Sequence, residues 1–378
     1  MRIGFDVRPF LRQETGVGVY FKNLLFELAA LDRDNEYCLF SASYKDRFPP
    51  AKIPPFEKLT FVDKRWPVRA VNAAWDMFGR PRLDRIFGGR LDITHSPTPL
   101  RLPASGKAIV TVCDLFFLEE PEKADREART RFLRKTGRSL RSADGVITIS
   151  EYSARAIRER FGLDEEKIMV TLLGLNRFFE DPAAPEETAA VRRRFDLPGE
   201  FLLFVGALEP RKNVPALIEA LALVHERHGR IPLVLAGRSG GDGENVDRAI
   251  ERRGLGAWVR RTGYLPDVDL RALYRTAAAL VFPSSAEGFG LPLLEAMACG
   301  LPAAASGVSA LPEIGGDAAL YFNPEDPEEI ARTVIRLLAD SPARESLKIR
   351  GLRRAELFPW RRTAEATLGF YRRTAGKT

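Results

Sequence analysis

The stretch EGFGLPLLEAMACGLP, residues 287–302, places Glu287 and Glu295 eight positions apart around a loop marked by Gly288 and Gly290. Glycines let a backbone approach a ligand closely and adopt conformations closed to other residues. Pro292 suits the first position of a helix. The N–H groups that open a helix carry partial positive charge and suit an anion or hydroxyl oxygens. Glu295, about one turn inside, can accept a pair of hydrogen bonds from a vicinal diol, and Glu287 can hold hydroxyls of a second ring. Both acids also have a plain reading, Glu295 as a favourable first-turn charge and Glu287 as a loop surface residue.

Upstream, GALEPRKNVPALIEAL (206–221) brings Arg211 and Lys212 to the end of an apolar run, just before Asn213, which can cap a helix over 214–224. Arginine forks onto two oxygens and lysine acts as a point charge, so the pair reads as a diphosphate site or as a surface pair of cations. Gly16 and Gly18 stand at another helix entrance, but Phe21 occupies the place of a third glycine, so a dinucleotide fingerprint is not supported. His95, in LDITHSPTPL, ends a strand candidate, as does Asp114 in TVCDLFFLEEPE. His95 reads as a polar or proton-handling group in a cleft, or as a satisfied core histidine. Asp267 and Asp269 have the look of a metal pair, yet they follow Pro266 and open a helix, where first-turn acids are expected. The cysteines, Cys38, Cys113 and Cys299, are far apart in apolar surroundings, which suggests buried thiols and no zinc site.

Elements that could position these residues alternate along the chain. Apolar runs at 2–7, 37–42, 58–62, 91–96, 107–114 and 144–150, then at 201–208, 232–237, 258–264, 278–285, 302–306 and 318–322, are separated by amphipathic stretches of helical period. The expected fold is α/β, with two Rossmann-like, doubly wound parallel sheets. Ligands then sit beyond the carboxyl ends of strands. With 378 residues, two domains are expected: 1–190 and 191–359, divided where EDPAAPEETAA breaks the periodicity, with a final helix at 360–376 packing back on the first.

Residues 1–195 carry 34 Lys and Arg against 28 Asp and Glu, so +6 of the net +7 lies there. The dense segment REARTRFLRKTGRSLRS (126–142) reads as a solvated helix surface or as a face for anionic lipid head groups. No apolar run approaches the length of a bilayer span, and charges interrupt MRIGFDVRPF, so a cytoplasmic protein, at most peripheral to the inner face of the plasma membrane, is expected. A nucleic-acid-binding protein would use the basic half, but interleaved aromatic and basic platforms are missing.

GALEPRKN together with EGFGLPLLEAMACGLP resembles the retaining nucleotide-sugar glycosyltransferases of family 4, which have the GT-B architecture of two domains facing across a cleft. HSP at 95–97, VCDLFF and ITISEYSARAI at 147–157 resemble the branch of bacterial O-antigen mannosyltransferases. The resemblance implies that Arg211 and Lys212 bind the donor diphosphate, Glu295 the ribose diol and Glu287 the transferred sugar, with His95 also at the reacting centre. It implies that amides at Gly288, Phe289, Gly290 and Leu291 hold sugar and phosphate, that Gly16 and Gly18 lie near the diphosphate, that Tyr264 and Leu265 face the base, and that Asp114 lies toward the acceptor. It further implies GDP-mannose as donor, a saccharide or lipid-linked saccharide as acceptor, and neither a metal nor another cofactor. Ala207 departs from the family's G-R-L, so one cation is missing and Arg211 must carry more. A GT-B epimerase or phosphorylase is the alternative enzyme.

Overall fold

The computed structural model describes residues 1–10, 16–115, 126–197 and 199–376. Its central strands are short apolar runs buried on both faces, as in LLFV of β8 or ALVF of β11 below. Seven strands belong to one compact unit, formed by Met1–Gly174 and Pro359–Thr378. They are β1 (Arg2–Asp6), β2 (Glu36–Ala42), β3 (Leu59–Lys64), β4 (Ile93–Ser96), β5 (Lys107–Val112), β6 (Gly145–Thr148) and β7 (Ile168–Val170), in the order β3-β2-β1-β4-β5-β6-β7. Six belong to the second unit, Leu175–Phe358. They are β8 (Leu202–Val205), β9 (Leu233–Ala236), β10 (Val259–Gly263), β11 (Ala279–Phe282), β12 (Ala303–Ser306) and β13 (Leu320–Phe322), in the order β10-β9-β8-β11-β12-β13.

All pairings are parallel, including β1 with β4 and β8 with β11. In both sheets the order reverses direction at one place, between β1 and β4 and between β8 and β11. Loops leaving the carboxyl ends of the two strands there diverge to opposite sides of the sheet and leave a crevice.

The boundary expected at 190/191 lies instead at Gly174/Leu175, with a return at Phe358/Pro359. The helix Pro185–Arg194 belongs to the second unit because ion pairs tie it to the helix Asp267–Thr276: Arg271 to Glu187 at 2.8 Å and Arg194 to Asp269 at 2.9 Å. The helix Trp360–Thr374 lies in the first unit, where Thr363 Oγ1 donates to the Leu172 carbonyl at 2.5 Å. A side chain at Gly174 would meet Trp360 Cγ at 2.3 Å, so this crossing requires glycine.

Candidate functional site

The loop after β8 and the loop after β11 leave adjacent strands at the point where the second sheet's order reverses. This adjacency brings together side chains 75 residues apart in sequence. Lys212 Nζ donates to Glu287 Oε1 at 2.5 Å, and Arg211 Nη1 lies 3.2 Å from Glu287 Oε2. Lys212 and Glu287 are 6% and 9% exposed, so the pair lies in a low-dielectric setting where an unpaired charge would be costly. Gly206 ends β8 at a φ of 153° and leaves room for the lysine stem; a Cβ there would already sit 3.4 Å from Lys212 Cε. The ammonium also lies 4.9 Å from the centre of the Phe282 ring. Arg211 is half-buried: its Nε pairs with Glu209 at 3.0 Å, and its carbonyl accepts from the Ser285 N–H at 2.8 Å and the Ser285 hydroxyl at 3.1 Å.

Burial lowers the Lys212 pKa, against the pull of Glu287. For Glu287 burial acts upward, but Lys212 and Arg211 together outweigh it and hold the carboxyl below its ordinary value. The cluster therefore sets two basic side chains on one carboxylate.

The same loop continues into the helix Leu291–Ala298. Gly290 has a φ of 111°, and a Cβ there would lie 2.5 Å from Leu311 Cδ2, so two independent constraints require glycine. Phe289 is buried edge-on against Phe358, with ring centres 5.9 Å apart. Among the described residues, none accepts a hydrogen bond from the main-chain N–H groups of Gly288, Phe289 or Gly290. Glu295 sits in a second cluster, where Tyr274 donates its hydroxyl to Oε2 at 2.9 Å. Burial pushes the Glu295 carboxyl up to about 7; the Tyr274 hydrogen bond opposes this and Asp267 adds to it. Tyr264, after Gly263 with its φ of 71°, is 69% exposed, whereas Leu265 is buried.

In the first unit, His95 is fully buried at the end of β4. Its Nδ1 is 2.5 Å from the Tyr371 hydroxyl and its Nε2 is 2.7 Å from Thr111 Oγ1. Phe5 and Phe21 enclose the ring, and burial lowers its pKa to about 3. With both nitrogens engaged and no exposed surface, His95 has the surroundings of a satisfied core histidine, the second of the two readings its sequence position offers. Gly16 and Gly18 open the helix Gly16–Leu31, the first exposed and the second buried, and Asp114 is exposed just beyond β5. The residues that follow, 116–125, lie outside the described residues.

The family model described as glycosyl transferases group 1 matches residues 186–354, and that of Glycosyltransferase Family 4 matches residues 15–176. An O-antigen chain mannosyltransferase B of Escherichia coli is 32% identical over 385 residues, covering 98% of this chain and 100% of that protein. The chain belongs to glycosyltransferase family 4. A serotype-specific mannosyltransferase of the same species is 34% identical to this transferase over 282 residues, which are 72% of this chain and 34% of the longer relative. Among solved structures, a sucrose-phosphate synthase from Thermosynechococcus elongatus superposes on the transferase with a TM-score of 0.77 at 22% identity, covering 98% of each chain. The fold is accordingly of the GT-B type.

Two local expectations for the transferase need correction. Asn213 does not cap the following helix with its side chain; its backbone is left-handed at a φ of 52°, which turns Nδ2 toward the Pro324 carbonyl at 2.6 Å. Pro292 is the second helical residue, because the helix begins at Leu291. Asp267 and Asp269 do lie in a first turn, where Asp269 pairs with Arg194. Among the described residues no group of three His, Cys, Asp or Glu could hold a metal. The sequence reading of the transferase missed Glu209 and Tyr274. Tyr274 stands in the sequence only as an aromatic on the inner face of a helix, with nothing to mark its hydroxyl.

Proposed function

We propose that this glycosyltransferase moves a hexose, mannose, from GDP-mannose to a saccharide or lipid-linked saccharide acceptor, with retention of anomeric configuration and without a metal. The observation that carries the reading is the Arg211–Lys212–Glu287 triad beside an amide-lined glycine turn at the point where the sheet order reverses. Cleavage of a sugar–diphosphate bond leaves charge on the departing phosphate. Cations fixed in advance, with main-chain N–H groups beside them, stabilise that charge without reorganising. Arg211 and Lys212 take this role, Glu287 orients them and accepts from sugar hydroxyls, and Glu295 accepts from the ribose diol. Among the described residues no carboxylate is placed as an obvious nucleophile, so in this reading the acceptor oxygen attacks the anomeric carbon from the face the phosphate leaves. Its proton passes to a phosphate oxygen as the C–O bond to phosphate breaks.

The E. coli relatives, an O-antigen chain mannosyltransferase and a serotype-specific mannosyltransferase, favour mannose and a polysaccharide acceptor. The basic helix Arg126–Ser142 is read as a contact for anionic lipid, and sedimentation with phosphatidylglycerol vesicles, set against phosphatidylcholine, tests it. No helix among the described residues is long and apolar enough to cross a membrane.

The deciding experiment is thermal-shift screening against GDP, UDP and ADP, followed by NMR of the product formed from GDP-mannose and a mannoside in excess EDTA. Selective stabilisation by GDP and a new α-mannoside are expected. An inverted product, a trapped glycosyl-enzyme, loss of activity with EDTA, or epimerised donor in the absence of acceptor would each overturn the corresponding part. Salt-sensitive retention of RNA or DNA in a gel would instead favour a nucleic-acid-binding protein.

A further inference from the structure

Among the described residues three that are not glycine have a positive φ: Asp196, Asn213 and Ser309. Two of the three touch the charged triad. Asn213 follows Lys212 directly, and Ser309 grips the backbone of Glu287. Side chains make this conformation unfavourable, and it persists only where the surroundings over-determine it. At Ser309, with its φ of 59°, the surroundings are specific. Its Oγ accepts from the Glu287 N–H at 3.1 Å, and the N–H of the next residue, Ala310, donates to the Glu287 carbonyl at 3.3 Å. Both polar groups of the Glu287 main chain are thus held by two consecutive residues, and Leu311 fills the space beside Gly290.

We infer that Ser309 is a positioning residue: its hydroxyl and left-handed backbone fix the loop that carries Glu287, and through Glu287 they hold the Lys212 ammonium in place. The inference rests on the reading of Glu287 as part of the donor site, and it adds the device that aims the cations. A left-handed backbone at 309 turns the chain so that Oγ of 309 and N–H of 310 face one peptide strand together. In an extended residue the side chain stands out of the pleat and the N–H groups point along the hydrogen-bonding direction, so the two would diverge.

The test uses the free protein and needs no substrate. Acetylation of Lys212 by sulfo-N-hydroxysuccinimide acetate is followed by peptide mass spectrometry and normalised to exposed Lys45. Slow modification is expected for the native protein. Ser309→Ala should accelerate Lys212 acetylation about tenfold, the equivalent of one net hydrogen bond at about 1.4 kcal/mol. Ser309→Gly, which tolerates the backbone conformation and loses only the hydroxyl, should do the same while melting near the native temperature. In a Glu287→Gln background, where acetylation is already fast, Ser309→Ala should add nothing, since both act through one contact. Native rates in both Ser309 variants, or increases that multiply in the double variant, would show that Ser309 only closes the loop. Calorimetry of the native protein with GDP and UDP separates the two ideas: absence of binding would sink the donor-site reading and leave the labelling result standing.

Discussion

Donor affinity should depend on pH if the ribose diol donates, as proposed, to the Glu295 carboxyl. Its pKa is pushed up to about 7 from the ordinary 4.5, by burial first, with the Tyr274 hydroxyl opposing and Asp267 adding. The ionised form accepts two hydrogen bonds, whereas the protonated form gives up an acceptor site to its own proton. A group with a pKa near 7 is ionised in about one molecule in eleven at pH 6 and about ten in eleven at pH 8, so GDP should bind about tenfold more tightly at pH 8. The phosphate of GDP also titrates in this range, and a control is therefore needed. The 2′,3′-dideoxy nucleotide shares the phosphate but has no diol, and Glu295→Gln has no titrating carboxyl. Calorimetry from pH 6 to 8 should give a slope that is reduced by either change.

The same residue makes an independent statement about folding. Between pH 4.5 and 7 the unfolded chain has released this proton while the folded chain keeps it, so stability falls as pH rises through that window and levels off above it. The full shift would correspond to about 3 kcal/mol, and partial exposure of Glu295 reduces the expectation to about 1–3 kcal/mol. Urea denaturation should show Glu295→Gln gaining that much on the native protein between pH 5 and pH 8.5. A stability difference that does not move with pH, or an equal affinity slope for the dideoxy nucleotide, would refute the reasoning.

Replacing Lys212 by Ala should cost about 2–4 kcal/mol of transition-state stabilisation, read as a loss in kcat/KM with the donor sugar, and undiminished turnover would remove it from the site. Gly290→Ala should lower stability by about 1–3 kcal/mol, measured by denaturant titration, because the new methyl group meets Leu311 on a backbone at a φ of 111°. His95→Ala should cost about 2–4 kcal/mol of folding stability, since it leaves a cavity and strands the Thr111 and Tyr371 hydroxyls. Because burial keeps His95 neutral down to about pH 3, the pH–rate profile of a stable His95 variant should keep the native shape between pH 5 and 8.

The strands were readable because a parallel sheet covered on both faces demands continuous apolar runs, and FLLFVG and AALVF have nothing else to be. β7 was not readable: Ile168–Val170 is three half-buried residues behind a short turn, too brief to show a period. The chemistry of the site was visible as residue types at loop ends. Its geometry was not, because the meeting of Lys212 with Glu287 depends on β8 lying beside β11, a fact about strand order. The burial of His95 was hidden for a similar reason. A histidine at a strand end looks accessible until Tyr371, 276 residues away, closes over it. The unit boundary escaped because Pro and Glu near 185 mark the start of a helix, and only its ion pairs to Arg271 and Asp269 reveal where it belongs.

The unit that carries His95 is made from two separate lengths of chain, 1–174 and 359–378, whereas its neighbour is one unbroken length. On the ribosome, residues 175–358 can therefore complete their own core as soon as they emerge. The earlier-made sheet must wait, with an imidazole nitrogen lacking its tyrosine, until residue 371 has left the exit tunnel. Loss of the helix Trp360–Thr374 would thus injure the part of the protein synthesised first, and leave residues 175–358 largely whole.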